Sequence, residues 1–268
     1  MPENSISDIQ ERHQLLIQLT KRVIFILAEN NINYFAHYGT LLGVVRHKGF
    51  IPWDDDIDLA LMRKEYNTLK NINWKSYGLE IISPQLSKTS PYAFTKIVDP
   101  NIQMLENEYT GHGARGLNLD LFPLDFLDST GLKFLAVRIL SFCLLIKVLT
   151  FKKERARGKN LALFFLKLML AFISAGALSS IIDFLSKQKF YKPIDKIGFL
   201  AGPYGQKELL DKSWFSETRK QKFDGLELEI PVGSSEVLRS LYGDYLKLPP
   251  VEERISHHDN SLTSPHEN

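Results

Sequence analysis

Between Asp54 and Leu61 the chain reads DDDIDLAL, and this short acidic alternation limits what can surround it more than any other stretch does. With a period of two, a strand through it buries Ile57, Leu59 and Leu61 on one face and turns Asp56 and Asp58 together to the other. Two like charges held that close are unfavourable unless a cation or a proton lies between them. Donors that are all oxygen suit a hard divalent ion, so Asp56 and Asp58 are candidate ligands for Mg2+ or Mn2+. The competing reading is an ordinary Asp-rich turn, because a bare Asp-x-Asp pair recurs by chance.

The neighbouring residues favour the first reading. A short apolar run at Tyr34 and Phe35 leads to Gly39-Thr40 and then to Leu41, Leu42, Val44 and Val45, which predicts strand, tight turn, helix. A helix start offers unpaired N–H groups and the positive end of its dipole to a phosphate. Arg46 and Lys48 follow, placed either to hold a diphosphate or to neutralise the aspartates. Further on, GLNLDLFPLD from Gly116 to Asp125 alternates Leu117, Leu119 and Leu121 with Asn118 and Asp120. If that strand adjoins the acidic one, Asp120 supplies a third carboxylate. Asp125, beyond Pro123, reads as a turn or cap residue. Lys96 is a lone cation in a predicted strand, Tyr92 to Val98, and is either a solvated strand residue or a phosphate ligand.

The string LLGVVRHKGFIPWDDDID closely resembles the signature of the LicD family, phosphocholine transferases whose relatives include fukutin and fukutin-related protein. The resemblance recurs at the Phe-x-Lys-Ile around Lys96, at FPLD before Asp125, at Phe223-Asp224-Gly225, and at YGDY followed by LPP and His257. It implies an α+β fold of the DNA polymerase β nucleotidyltransferase type: a mixed sheet with flanking helices, here with an added apolar helical segment. It further implies Gly39-Thr40 at the donor turn, a metal site of Asp56, Asp58 and Asp120, and Lys96 and His257 as ligands of the substrate. The implied donor is CDP-choline, with phosphocholine passing to a sugar hydroxyl of a surface glycan or its lipid-linked precursor. The same residues would serve transfer of a polyol phosphate or a nucleotide. Trp53, Tyr92 and Trp74 are the aromatic candidates to enclose a quaternary ammonium, and the sequence does not choose among them.

The rest of the chain frames this centre. Residues 1–30 include an amphipathic helix over 7–28 with a capping-box start at Ser7 and Gln10. Residues 31–131 hold the catalytic core. Residues 132–190 form an apolar helical lobe around the basic segment KKERARGK, and residues 191–259 complete the domain. The polar tail 260–268 is expected to lack fixed structure. Lys133, Arg138, Lys147, Lys167 and Asp183 interrupt the apolar runs, which argues against a spanning pair and for helices packed on the core or lying at a membrane surface. The glycine-rich GFLAGPYG, 198–205, lacks phosphate-loop spacing and receives no role.

A formal charge of +2 gives no bulk field for nucleic acid. One cysteine, Cys143, excludes an internal disulfide, and the start of the chain has no basic-then-apolar leader, so the expected location is the cytoplasm, at the inner face of the membrane. A non-catalytic membrane-associated protein with a structural acidic turn is the remaining alternative. The presence of all three of Asp56, Asp58 and Asp120 counts against it.

Overall fold

The acidic strand is an interior strand of a seven-stranded mixed sheet, and its place between two neighbours explains why it is buried on both sides. The computed structural model describes residues 9–87, 90–104, 116–128, 130–149, 170, 172–189, 193–254 and 262–263. Strand β1 (Phe35–Ala36) pairs antiparallel with β2 (Asp58–Met62), and β2 runs parallel to the long β6 (Leu117–Asp128). β4 (Thr95–Asp99) lies antiparallel on the other side of β6, and β3 (Glu80–Ile82) closes that edge. The far half of β6 pairs with β7 (Pro193–Gly198), which pairs with β8 (Leu210–Asp211). One twelve-residue strand thus carries the acidic neighbours at its start and the C-terminal half of the chain at its end.

β2 is buried from Asp58 to Leu61, not half-exposed as the alternation predicts. A central strand with a parallel neighbour is covered on both faces, so its apolar content runs continuously. The strand also begins at Asp58, which leaves Asp56 in the preceding loop and not on the same pleat.

Helix α1 (Ile9–Glu29) buries Leu16, Leu19, Val23, Ile26 and Leu27 in one stripe, as its spacing predicts. Asn31 takes φ of 54°, a left-handed turn that Asn tolerates, and ends it. The capping residue Ser7 lies outside the described residues. α2 (Tyr38–Arg46) follows β1 directly, and α3 (Arg63–Thr68) follows β2. α4 (Leu132–Leu149) and α5 (Ala175–Lys187) pack on each other and on β6. Among the described residues no helix is long and apolar enough to cross a membrane. KKERARGK lies outside them.

Around Phe223-Asp224-Gly225 the chain forms a hairpin of β9 (Thr218–Phe223) and β10 (Leu226–Pro231), turning at Asp224-Gly225 with φ of 43° and 80°. Asp-Gly is the favoured pair for that turn. Its tip is fastened to the centre of the chain, because the Asp224 carboxylate accepts from Phe50 N at 2.8 Å and Asp224 N donates to Lys48 O. α6 (Ser234–Tyr242) packs on α2. The tail is not wholly unstructured: β11 (Leu262–Thr263) pairs with β5 (Gln103–Met104).

Asp125 is neither turn nor cap. It lies within β6 and takes a two-pronged ion pair from Arg63, at 2.7 and 2.5 Å, while the third arm of the same guanidinium meets Asp183 of α5 at 2.5 Å. Arg63 thereby joins α3, the sheet and α5 across a buried gap, and the two carboxylates hold its guanidinium charged. Replacing Arg63 by Met should destabilise the protein by about 3–5 kcal/mol, since two buried carboxylates lose their counter-charge. Urea denaturation at neutral pH measures it, and a loss below 1 kcal/mol would mean the network is not holding these elements together.

Candidate active site

Four carboxylates meet at the start of β2. The parallel register sets Asp58 opposite Asp120, and Asp120 N donates to Ile57 O at 2.9 Å. Both are about 8 % exposed. Asp56 and Asp54 come from the loop before the strand and are half-buried. Burial, followed by the charges of Asp56, Asp120 and Asp54, pushes the Asp58 carboxyl well above the usual carboxylate range, with Lys96 acting against them. An added cation would relieve that crowding, and the donors are all oxygen, so the residues present fit a divalent metal. Among the described residues, the carboxylates whose oxygens lie within 4.8 Å of one another are Asp54, Asp55 and Asp56. That differs from the expected trio of Asp56, Asp58 and Asp120, which is not drawn together as tightly. Asp55 is also committed elsewhere, in a buried ion pair with Arg12 at 3.2 Å.

α1 holds this loop with two successive residues. Beside the Arg12 pair, His13 Nε2 donates to Asp54 O at 2.7 Å and its ring stacks on Phe50 at 3.9 Å. A helix that reads as scaffold therefore positions the acidic loop.

The structure reassigns several residues singled out above. Gly39 lies in the first turn of α2 and lines the cavity, and a Cβ there would overlap the Asp54 carboxylate. Thr40 is buried, and its Oγ1 accepts from Asp58 N at 2.8 Å, so it fixes Asp58 instead of facing a donor. Lys96 is neither solvated nor turned to open space: its Nζ donates to Asp120 Oδ1 at 2.8 Å and to Asn118 at 2.9 Å. Arg46 and Lys48 do not line the cavity; Arg46 donates to Tyr245 O, and Lys48, at φ of 62°, to Val45 O. The reason is that α2 carries them to its far end, away from the turn at Gly39. His257 lies outside the described residues.

Above the carboxylates opens a cavity of about 740 Å3, lined on the acidic side by Asp54, Asp56, Asp58 and Asp120. Its other walls are rich in aromatic rings, Tyr38, Trp53, Tyr92, Phe94, Phe122, Phe199, Tyr204 and Tyr242, with aliphatic residues of α4 among them. Trp74 is not among them, being buried with Nε1 donating to Leu69 O. The ammonium of Lys96 already stands 4.9 Å from the ring centre of Tyr92 and 5.5 Å from that of Phe94. Among the described residues the cation that lines the space is Arg138 of α4, whose Nη1 donates to Gly202 O.

The glycine-rich loop is thus part of the wall, for a reason its spacing does not disclose. Glu208, fully buried in the turn Gly205–Glu208, accepts from Tyr38 OH at 2.9 and 2.8 Å and from Tyr204 N at 3.2 Å. Gly202 passes so close that a Cβ would overlap the Glu208 carboxylate. This carboxyl ties the α2 turn to the loop, and burial pushes it up to about 7. His37, at the head of α2, is fully buried, with neither ring nitrogen hydrogen-bonded, and burial drops it to about 3.

Residues 31–133 match the family described as LicD/FKTN/FKRP, nucleotidyltransferase domain. The chain is 28 % identical over 236 residues to the lipopolysaccharide cholinephosphotransferase LicD of Haemophilus influenzae, spanning 85 % of this chain and 87 % of that protein. Shorter matches, 47 % over 57 residues and 48 % over 58, link it to uncharacterized proteins of Rickettsia prowazekii and Rickettsia typhi, covering about a fifth of each chain.

Glu208 generates a pH test. Its folded pKa lies above the unfolded value, so the fold favours the neutral acid, and its contribution to stability is lost as pH rises from 4.5 through about 7. The stability of Glu208→Gln relative to the unsubstituted protein should therefore climb between pH 4.5 and 7 by roughly 3 kcal/mol. Urea titrations at pH 5 and pH 8 read the change, and an equal gap at both would show that the folded carboxyl ionises normally.

Proposed function

We propose that this chain is an enzyme of the LicD type that transfers phosphocholine from CDP-choline to a sugar hydroxyl of a surface glycan or its lipid-linked precursor, a reading supported by the family match over residues 31–133. The observation that carries the reading is the register of Asp58 beside Asp120 beneath an aromatic cavity. Carboxylates on one side suit metal-bound phosphates; aromatic faces on the other suit a quaternary ammonium, which is attracted to ring faces and cannot donate a hydrogen bond. The cholinephosphotransferase name of the Haemophilus relative supports the same donor group.

In this reading Asp56, Asp58 and Asp120 would hold Mg2+ or Mn2+, with Asp54 at hand. Bound there, the metal would supply positive charge to the diphosphate oxygens during transfer. The chain's own residues do the rest. Thr40 fixes the Asp58 backbone, and Lys96 aims Asp120. Arg138, instead of Arg46 or Lys48, is the guanidinium placed to meet donor phosphate oxygens. The sugar oxygen forms its bond to the phosphorus bearing choline, the bond from that phosphorus to the bridging oxygen breaks, and CMP leaves. The hydroxyl proton passes to a carboxylate at the floor, with Asp120 best placed to take it.

Tyr38, Tyr92, Phe94 and Phe122 form one connected group of rings, with Tyr38 and Phe122 centred 5.1 Å apart and Phe94 and Phe122 4.6 Å apart. Such a group is stiff and sheds water readily, so a cation entering it loses little to ordering of the site.

Purified protein with Mg2+, CDP-choline and a panel of other CDP-alcohols should release CMP fastest from CDP-choline. Asp58→Asn should lower that release by about 100-fold or more without lowering the melting temperature, because a neutral near-isostere replaces a crowded carboxylate facing the cation. A folded Asp58→Asn protein with full turnover would sink the metal role, and faster release from a CDP-polyol would redirect the donor.

A further inference from the structure

α4 carries an apolar face that stays open to solvent. Leu132, Leu135, Ile139, Phe142 and Leu145 are each between 52 % and 57 % exposed. Steps of three, four, three and three residues keep them on one side of the helix. The row extends about 20 Å. Scattered apolar residues on a surface are ordinary, whereas a continuous row marks a contact. The helix itself is firmly seated: Val137, Leu144 and Val148 are buried, and Lys133 Nζ donates to Ser186 O and Gln188 O at 3.1 Å.

Two features indicate what meets this face. Phe142 and Leu145 are both exposed and part of the cavity lining, so whatever lies on the row also lies at the cavity's mouth. Directly beyond the helix the sequence runs KKERARGK, five Lys or Arg against one Glu. An exposed apolar row on a helix that is followed in the sequence by basic residues is the chemistry of contact with an anionic bilayer, where acyl chains take the apolar side and headgroups attract the charge.

We infer that α4 seats the protein on an anionic membrane surface, with the mouth of the cavity turned to the headgroup layer. A glycan carried on a lipid then reaches the carboxylates without its anchor leaving the bilayer. The nature of the acceptor rests on the transferase reading; the seat does not.

The test is flotation of the full-length protein with vesicles of phosphatidylglycerol and phosphatidylcholine, and with phosphatidylcholine alone. The protein should float with the anionic vesicles, and Leu135→Glu with Ile139→Glu should weaken that binding by about tenfold or more. Absence of flotation overturns the seat. So does a dimer in solution that the double variant converts to monomer with no vesicle bound, which would give the face to a second copy. If the double variant fails to fold, Leu135→Trp replaces it: its emission should move to the blue on adding anionic vesicles, and an unmoved spectrum overturns the seat. CMP release from CDP-choline, followed on the same preparation, separates the two claims. Release without flotation removes the seat alone, and flotation without release removes the transferase reading alone.

Discussion

Everything at the site depends on two parallel strands placing Asp58 and Asp120 side by side with a single ammonium, that of Lys96, drawn in from the third strand. The local charge is negative and the surroundings are buried, a combination that raises the energy of the ionised carboxylates. Backbone pairing holds the carboxylates in register: β2 and β6 share five paired positions, and Thr40 adds a hydrogen bond at the first of them. The acids cannot simply splay apart to relieve their repulsion. A divalent ion, a proton or the Lys96 ammonium must do so.

The central motif was largely legible because its parts are local. Alternation located both strands, with Asp58 and Asp120 on them though not Asp56, and the stripe on α1. What stayed hidden was who faces whom. Lys96 reads as an isolated cation until antiparallel pairing sets it opposite Asp120. Arg46 and Lys48 follow the turn so closely that proximity along the chain suggested proximity in space, yet nine residues of helix take them away. Asp125 sits after a proline, a turn signal in most settings, but β6 runs straight through it, and its role is decided by Arg63, sixty-two positions earlier.

The aromatic wall was the least legible part. Its rings come from α2, the loop before β2, the segment before β4, β6, the 199–204 loop and α6, and no spacing rule joins residues so far apart. A retrospective signal exists in GFLAGPYG, whose small residues read as a failed phosphate loop. Gly202 is instead small because the Glu208 carboxylate occupies the space a side chain would need. Likewise Asp224-Gly225 carried a hairpin signature that the alternation of the following strand masked.

The hairpin tip, bound to Phe50 and Lys48, and the Glu208 bond to Tyr38 sew the latter half of the chain onto the former. A ribosome that has delivered only the first 133 residues has therefore made every acid of the centre and the rings of Tyr38, Trp53, Tyr92, Phe94 and Phe122, but not the rings that close the wall opposite them. Competence arrives late in synthesis, when Tyr204, Glu208 and Tyr242 emerge and the enclosure shuts around a charge cluster already in place.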